Sequence, residues 1–391
     1  MTRLSGNVLL MQLGRPSTLM NVGLSTLIGS VLNYDVVEDV YGCIDGLCGL
    51  LSKNFIDLAA QQQKNISNLL FTPGAALGSR TTECSDEDFG RIASVLRDSD
   101  IRFMFVLGDE ESAKYCLSME EAAAKIGHEM RLMLIPFSPE NALPLTDHCL
   151  GYGSLIKHVS SLFTSVVADV QSTQSSGSVT IVEFDGCSSR WILCGIALAK
   201  RRHDLNVPPN LILADLLDEQ VLVKKIHECI HATGNCVIVT GGSLRDRSGE
   251  GAMGNRTPGQ YVKFIIEANF ELDVDVVILR DWKQTSCMTI SAVDFAETVS
   301  CAKHAAELSL ENMVTGKMVI LLRADSQKYG CEVSCVDIAN TIGKKKDFPA
   351  GWYSNGEAAV DVSFFKYASP LIVGEVHPTC DAGIQTLAKI R

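Results

Sequence analysis

No run of apolar residues in this chain approaches the roughly 18 needed to cross a bilayer. Positive charge is also scarce: 34 Lys and Arg stand against 46 Asp and Glu, for a net charge of -12. That balance argues against nucleic acid or an anionic membrane as the main partner. The basic cluster Lys344–Lys346 in GKKKDFP reads as a solvated loop, with an anion contact as the alternative. Repeats at solenoid spacing are missing. GCSSRW lacks the spacing of a nucleophile elbow, and the Gly-Lys of MVTGKMV lacks the rest of a P-loop. The N-terminal MTRLSGNVLLMQLG has an apolar run too short for a signal-peptide core, so it reads as a first buried strand. The expected location is the cytoplasm.

What is present suits a large α/β protein. The chain has 391 residues, enough for two domains with substantial cores. Its 14 cysteines are scattered through apolar stretches, as at Cys194, Cys236 and Cys301, which fits buried reduced thiols better than disulfides. His227, Cys229 and His231 share a predicted helix at a spacing able to bind zinc, but an ordinary helix is the simpler reading. Cys331 and Cys335 form a C-x₃-C pair with no second pair, which again suggests buried thiols.

Short apolar runs alternate with longer amphipathic stretches, the pattern of a parallel sheet with helical crossovers. Strands are expected at Val8–Gln12, Asn68–Phe71, Arg102–Leu107, Arg131–Ile135, Val179–Phe184, Leu211–Leu213, Cys236–Val239, Asp275–Leu279 and Met318–Leu322. Helices are expected at Asp86–Arg97, Glu120–His128, Leu155–Val170, Trp191–Lys200, Leu216–Ala232, Ala292–Leu308 and Val336–Ile342. Several strands run into a glycine: Gly14, Gly108 and Gly241. Ligands bind at such carboxyl ends in open α/β sheets. Two Gly/Ser-rich stretches, Gln171–Ser178 and Gly241–Gly259, read as flexible segments.

The stretch Leu134–Ser154, LIPFSPENALPLTDHCLGYGS, resembles the phosphoryl-transfer loop of the phosphofructokinase family, P-K-T-I-D-N-D-L followed by T-D and G-x-x-[ST]. Colinear fragments extend the resemblance, particularly to the pyrophosphate-dependent type, from about Val8 to about Glu375. They include VLLMQLGRPSTLMN, YGCIDGLCGLLSKNFIDL, LLFTPGAALGSRT, RFMFVLGDEESA, VTIVEFDGCSSRW, KKDFPAGW and FFKYASPLIVGE. The resemblance implies two doubly wound, Rossmann-like domains with an interdomain cleft. One lobe would be 1–150 plus about 275–315, on the phosphate-donor side; the other would be 151–274 plus about 316–391, on the sugar-phosphate side. It also implies phosphoryl transfer to the 1-hydroxyl of fructose 6-phosphate, with Mg²⁺ as cofactor.

Mapped residue by residue, the resemblance places the catalytic base on Glu140 and the adjacent threonine position on Ser138. Donor phosphate contacts fall on Gly14, Arg15, Arg80, Gly108 and Glu110, and a Mg²⁺ ligand on Asp109. Sugar-phosphate positions fall on Gly186 and Asp215. The departures are chemical. Glu140 lengthens the base by one methylene, Ala142 removes a second acid, and Phe137 replaces a lysine that would offset charge on the migrating phosphoryl group. Arg15 and Leu107 each stand where a second glycine would let backbone approach phosphate. Cys187, Gly241, Glu271 and Leu272 replace polar groups that bind the sugar phosphate. The expectation is a catalytically weakened or inactive homologue serving as a regulatory or structural subunit, in a homo-oligomer or beside an active phosphofructokinase subunit. The alternatives are an active phosphotransferase using Glu140 as base and a module that binds a phosphorylated metabolite such as a sugar phosphate or pyrophosphate.

Overall fold

A computed structural model describes residues 4–173, 177–201, 209–246, 254–283 and 287–390. Among them are eleven strands of three or more residues. In chain order these are β1 Gly6–Gln12, β2 Val37–Cys43, β3 Phe55–Asp57, β4 Ile101–Gly108, β5 Arg131–Pro136, β6 Ser178–Phe184, β7 Leu211–Leu213, β8 Cys236–Gly241, β9 Asp273–Leu279, β10 Lys317–Arg323 and β11 Cys331–Asp337. The chain divides into two compact units. The first is Met1–Gly153 with Thr285–Asp347 and Gly374–Arg391; the second is Ser154–Gln284 with Phe348–Val373.

The first unit is built on a seven-stranded sheet in the order β11-β10-β5-β4-β1-β2-β3. Its centre is parallel, with β2 and β4 flanking β1 and β5 pairing β4. These central strands read as near-continuous apolar runs because both faces are covered. Side chains alternate between two cores, as the two-residue period of a strand requires. Val8, Leu10, Phe103 and Phe105 join one core, and Leu9, Met11, Met104 and Val106 join the other. Helices Thr18–Val31 and Ala292–Leu310 supply the first core with Leu24, Leu27, Ala302 and Ala306. Helices Asp86–Asp98 and Ser112–Lys125 supply the second with Ile92, Leu96, Cys116 and Met119. Ser85 and Asp88 close the start of helix Asp86–Asp98 with a reciprocal capping box.

β1 has β2 on one side and β4, next among the parallel strands, on the other. The chain therefore reverses direction across the sheet at β1, which opens a crevice at the carboxyl ends of β1 and β4. Gly14 and Gly108 lie at that switch point.

The second unit holds four parallel strands in the order β9-β6-β8-β7. Helices Glu219–Thr233 and Pro258–Asn269 begin at side-chain caps, Asp218 and the Thr257–Gln260 capping box. A cluster of Trp191, Phe348, Trp352, Phe364 and Tyr367 gathers around rings as close as 4.9 Å between centroids. Of the two segments expected to be flexible, 174–176 and 247–253 lie outside the described residues.

Several expectations are corrected. Asn68–Phe71 is not a strand: Gln63–Leu69 is helical, and the amides of Leu70 and Phe71 donate to Ser67 and Asn68 in a closing turn. Val336–Ile342 is not a helix. Cys331–Asp337 pairs antiparallel with β10 along the sheet edge, and a short 3₁₀ turn, Ile338–Asn340, follows. The helix expected at Glu120–His128 runs earlier, at Ser112–Lys125. The lobe boundaries shift for a topological reason. β10 pairs with β5, so 316–347 belongs to the first unit, whereas β9 pairs with β6 and belongs to the second. The described cysteines are free thiols, seven of them fully covered, including Cys194, Cys236 and Cys301.

Phe103 is wholly buried at the centre of the first sheet. Phe103→Ala should lower unfolding stability by about 3–5 kcal/mol through lost transfer energy and the cavity left behind, measured as a drop in the urea midpoint.

Candidate functional site

The carboxyl ends of β1, β4 and β5 surround a cavity of about 230 Å³, lined by Arg15, Asp109, Glu110, Glu111, Ser138 and Glu140 among others. Backbone contacts draw the three loops together: Leu13 donates to the Leu107 carbonyl at 2.9 Å, and Phe137 donates to that of Gly108 at 2.7 Å. Both glycines are sterically required here. Gly14 has φ +81, and a Cβ there would fall 1.9 Å from an Asp109 carboxylate oxygen; one at Gly108 would fall 2.3 Å from Ser112 Oγ. The space they free lets Asp109 accept hydrogen bonds from the Ser112 hydroxyl at 3.0 Å and from the Arg15 amide at 3.3 Å.

Across the cavity the Arg15 guanidinium meets the Glu140 carboxylate at 2.6 Å. Ser138 donates to Glu110 at 3.3 Å. The structure thus gathers Arg15, Asp109, Glu110, Ser138 and Glu140 at one place. Arg80 stands apart from that lining. Its side chain is largely exposed and lies 3.9 Å from Asp45, while its neighbour Ser79 holds the Gly14 backbone on both sides. Phe137 is fully buried in the first core, where its ring comes so close to Gly23 that a Cβ there would sit 3.0 Å from it. The side chain at the lysine position thus fills core rather than facing phosphate.

Buried polar contacts fix the loop that carries Glu140. Asn141 adopts φ +57, and its side-chain oxygen accepts the Cys149 amide at 3.0 Å. Lys346, expected in a solvated run, instead turns inward. Its amide donates to the Ala142 carbonyl at 2.8 Å, and its ammonium donates to the carbonyls of Thr146 and Asp147. Burial pushes that ammonium below its ordinary pKa. The Gly151 amide donates to Asp294 at 3.0 Å.

His148, which sequence reasoning did not single out, sits wholly buried between Asp147 at 2.9 Å and Glu297 at 2.8 Å. Arg323 grips Asp147 at 2.9 Å and lies over the Tyr329 ring, whose hydroxyl donates to Glu297 at 2.6 Å. Burial opposes charge on His148, but the hydrogen bonds and charges of the two carboxylates overcome it and raise its pKa to about 9. Burial likewise opposes ionising Asp147, and the bonds from His148 and Arg323 win, holding it down at about 2. Cys331 lies near Asp147 and His148, in the one group of potential metal ligands among the described residues. Both His148 nitrogens are already committed to carboxylates, so the group reads as an ion-pair network. The signal for it in the sequence is the Thr146-Asp147-His148 run, legible only once Glu297 and Arg323 are known to face it.

In the second unit, Asp215 at the end of β7 forms an ion pair with Arg190, another residue that sequence reasoning passed over. Gly186 has φ +64 beside the buried Cys187. A Cβ on Gly241 would fall 2.5 Å from the Cys187 carbonyl, so the strand end that carries a glutamate in the family pattern has no room for a side chain here. Glu183, fully buried, ties β6 to the start of helix Pro258–Asn269 by accepting from Thr257 Oγ1 at 2.5 Å and the Gly259 amide at 2.9 Å. Glu271 is exposed, and Leu272 joins the local core. His227 and His231 are exposed on their helix.

A family model for phosphofructokinase matches residues 7–308. The chain belongs to the phosphofructokinase family. Among curated relatives, it is 28% identical over 393 residues to the pyrophosphate–fructose 6-phosphate 1-phosphotransferase of Rhodospirillum rubrum, covering 94% of each protein. It is 25% identical over 375 residues to the protein of the same name from Halomonas elongata, covering 91% of this chain and 89% of the relative. A solved pyrophosphate-dependent phosphofructokinase from Marinobacter aquaeolei shares the fold at TM-score 0.87 and 22% identity, over 99% of this chain and 96% of that one. Like that fold, this phosphofructokinase homologue is mixed α/β with parallel sheets. No described helix is long and apolar enough to cross a membrane.

The sign of the pH dependence follows from the His148 network. Its folded pKa lies above the ordinary 6.5, so its contribution is complete below pH 6.5 and fades as pH rises through about 9. The stability it contributes should therefore fall as pH rises from 6.5 towards 9. His148→Gln should flatten that slope and cost about 3–5 kcal/mol near pH 6, the scale of a broken buried ion pair. Urea denaturation across the pH range reads both effects.

Proposed function

We propose that this phosphofructokinase homologue is a weakened phosphotransferase of pyrophosphate-dependent ancestry, retained as a regulatory or structural partner of an active phosphofructokinase subunit. The Arg15–Glu140 ion pair carries this reading. A general base must be free to take the substrate hydroxyl proton, and a cation must be free to offset charge on the transferring group. Among the described residues lining the cavity, Arg15 is the only cationic side chain, and it is spent on the carboxylate at the base position. Asp109, Glu110 and Glu111 add negative charge where a polyanionic donor would enter.

Mg²⁺ fits this donor set, since hard cations take carboxylate oxygens. Asp109 and Glu110 would hold it, and it would supply charge neutralisation at the donor phosphates. The chain's own residues then have defined tasks. Arg15 binds phosphate only if it leaves Glu140, and Ser138 holds Glu110 in place. In the second unit, Arg190 would reach a sugar phosphate only by leaving Asp215.

The same ion pair favours a second reading, in which an arriving phosphate draws Arg15 away and frees Glu140 as the base of a working enzyme. Turnover of fructose 6-phosphate with pyrophosphate or ATP, in the presence of Mg²⁺, separates the two. Weakened transfer predicts a rate at least about 10²-fold below the roughly 1–100 s⁻¹ of kinases. A rate within that range, abolished by Glu140→Gln, would establish the second reading and sink the first. Co-purification from the native cell should bring down an intact phosphofructokinase chain.

A further inference from the structure

Asn355 and Gly356 form the only Asn-Gly pair in the 391 residues. They lie in the second unit, in the turn between two short antiparallel strands, Tyr353–Ser354 and Ala359–Val360. The base of this hairpin is firmly held. Ala358 is buried in the local core, and its carbonyl accepts the Ile212 amide of β7 at 2.9 Å. The Tyr353 hydroxyl donates to the Ile212 carbonyl, and the Asp361 amide donates to that of Trp352 at 2.9 Å. Glu357 forms an ion pair with Lys225 on helix Glu219–Thr233. The hairpin thus fastens to β7, the last strand of the second sheet.

The tip of the turn is held differently. Residues 354–357 are all exposed. The Glu357 amide donates to the Ser354 carbonyl and the Ala358 amide to that of Asn355, both at 3.3 Å, long against the usual length of about 2.9–3.0 Å. Among the described residues, nothing accepts the Gly356 amide hydrogen or bonds to the Asn355 side chain. A Cβ at Gly356 would meet no atom within 4 Å. Packing therefore does not require this glycine, unlike Gly14 and Gly108. Its effect is to leave the backbone nitrogen uncrowded beside a thermolabile side chain. That nitrogen and the Asn355 side-chain carbonyl belong to adjacent residues, so a ring closes between them by rotations at Asn355 and needs no second segment.

We propose that Asn355–Gly356 is a site of spontaneous modification, at which Asn355 passes through a cyclic imide to isoaspartate and aspartate. The Gly356 nitrogen gives its proton to water and attacks the Asn355 side-chain carbonyl carbon. The new N–C bond forms, the bond to the side-chain nitrogen breaks, and ammonia leaves with a proton taken from water. Water then opens the ring. Attack at the main-chain carbonyl gives isoaspartate, and attack at the side-chain carbonyl gives aspartate. Overall one water is consumed and one ammonia released, with nothing oxidised or reduced. Either product sets a new carboxylate two positions from Glu357, whose ion pair with Lys225 ties the hairpin to its helix. Isoaspartate also lengthens the main chain of the turn by a methylene, which loosens the span that holds Ala358 against Ile212.

The tryptic peptide 347–366 carries Asn355 as its only side-chain amide. The full chain is held at neutral pH and body temperature in heavy-oxygen water, then digested with trypsin in ordinary water at mildly acid pH. An isotope-labelled synthetic peptide of the same sequence, kept in the same tube, reports the rate without the fold. The proposal predicts that the chain's peptide loses ammonia and gains one heavy oxygen in step with the synthetic one. The main product should be isoaspartate, which an aspartate-specific protease does not cut. Gly356→Val, for which the structure has open space, should lose nearly all of the conversion. Amide hydrogen exchange at Ile212 should quicken in the converted chain. A native peptide that stays intact while the synthetic one converts overturns the proposal, as does equal conversion in Gly356→Val. Unchanged exchange at Ile212 overturns the loosening of β7.

Discussion

The loop from Phe137 to Gly151 holds its shape because its polar groups find partners inside the first unit. Lys346 binds two of its carbonyls, Asp294 receives the Gly151 amide, and Asn141 closes the turn from a left-handed backbone. The Asp147–His148–Glu297 chain, with Arg323 at one end and Tyr329 at the other, anchors the far side of the loop to β10 and helix Ala292–Leu310. Charges removed from water are tolerated only when paired, and here two cations balance two carboxylates. The position of Glu140 follows from this anchoring, because Glu140 projects from a stretch of the loop that lines the cavity.

That cavity inherits a geometry suited to phosphate and a charge distribution opposed to it. Gly14 and Gly108 still leave room for close approach, yet the room is taken by Asp109 and Ser112. Phe137 fills the space beside Gly23 with an aromatic ring. In the second unit the Cys187 carbonyl, in the loop after β6, comes so close to Gly241 that no side chain fits at the end of β8. At Gly23 and Gly241 the packing leaves no room for a larger side chain.

Much of the fold was legible along the chain. The parallel strands β1, β4, β5, β6, β8 and β10 announce themselves as unbroken apolar runs, because strands buried on both faces need no alternation. β2 and β11 were hidden for the opposite reason. Both carry exposed polar residues, such as Glu38, Asp39 and Glu332, and owe their extended form to hydrogen bonds with the neighbouring strands β1 and β10. The site was legible as a set of residues and illegible as a set of contacts. Arg15, Asp109, Glu110, Ser138 and Glu140 could each be placed by pattern, but nothing in the pattern says that an arginine 125 positions from a glutamate will neutralise it.

The amino-acid sequence alone determined the α/β class, the carboxyl-end location of the first site and the replacement of lysine and aspartate there, because these depend on residue type and local order. Tertiary structure alone decided that Lys346 is a buried anchor, that His148 is charged between two acids and that Phe137 points into the core. Each of these turns on distances of a few ångströms between segments that only the packed chain brings together, and electrostatic interactions depend steeply on such distances.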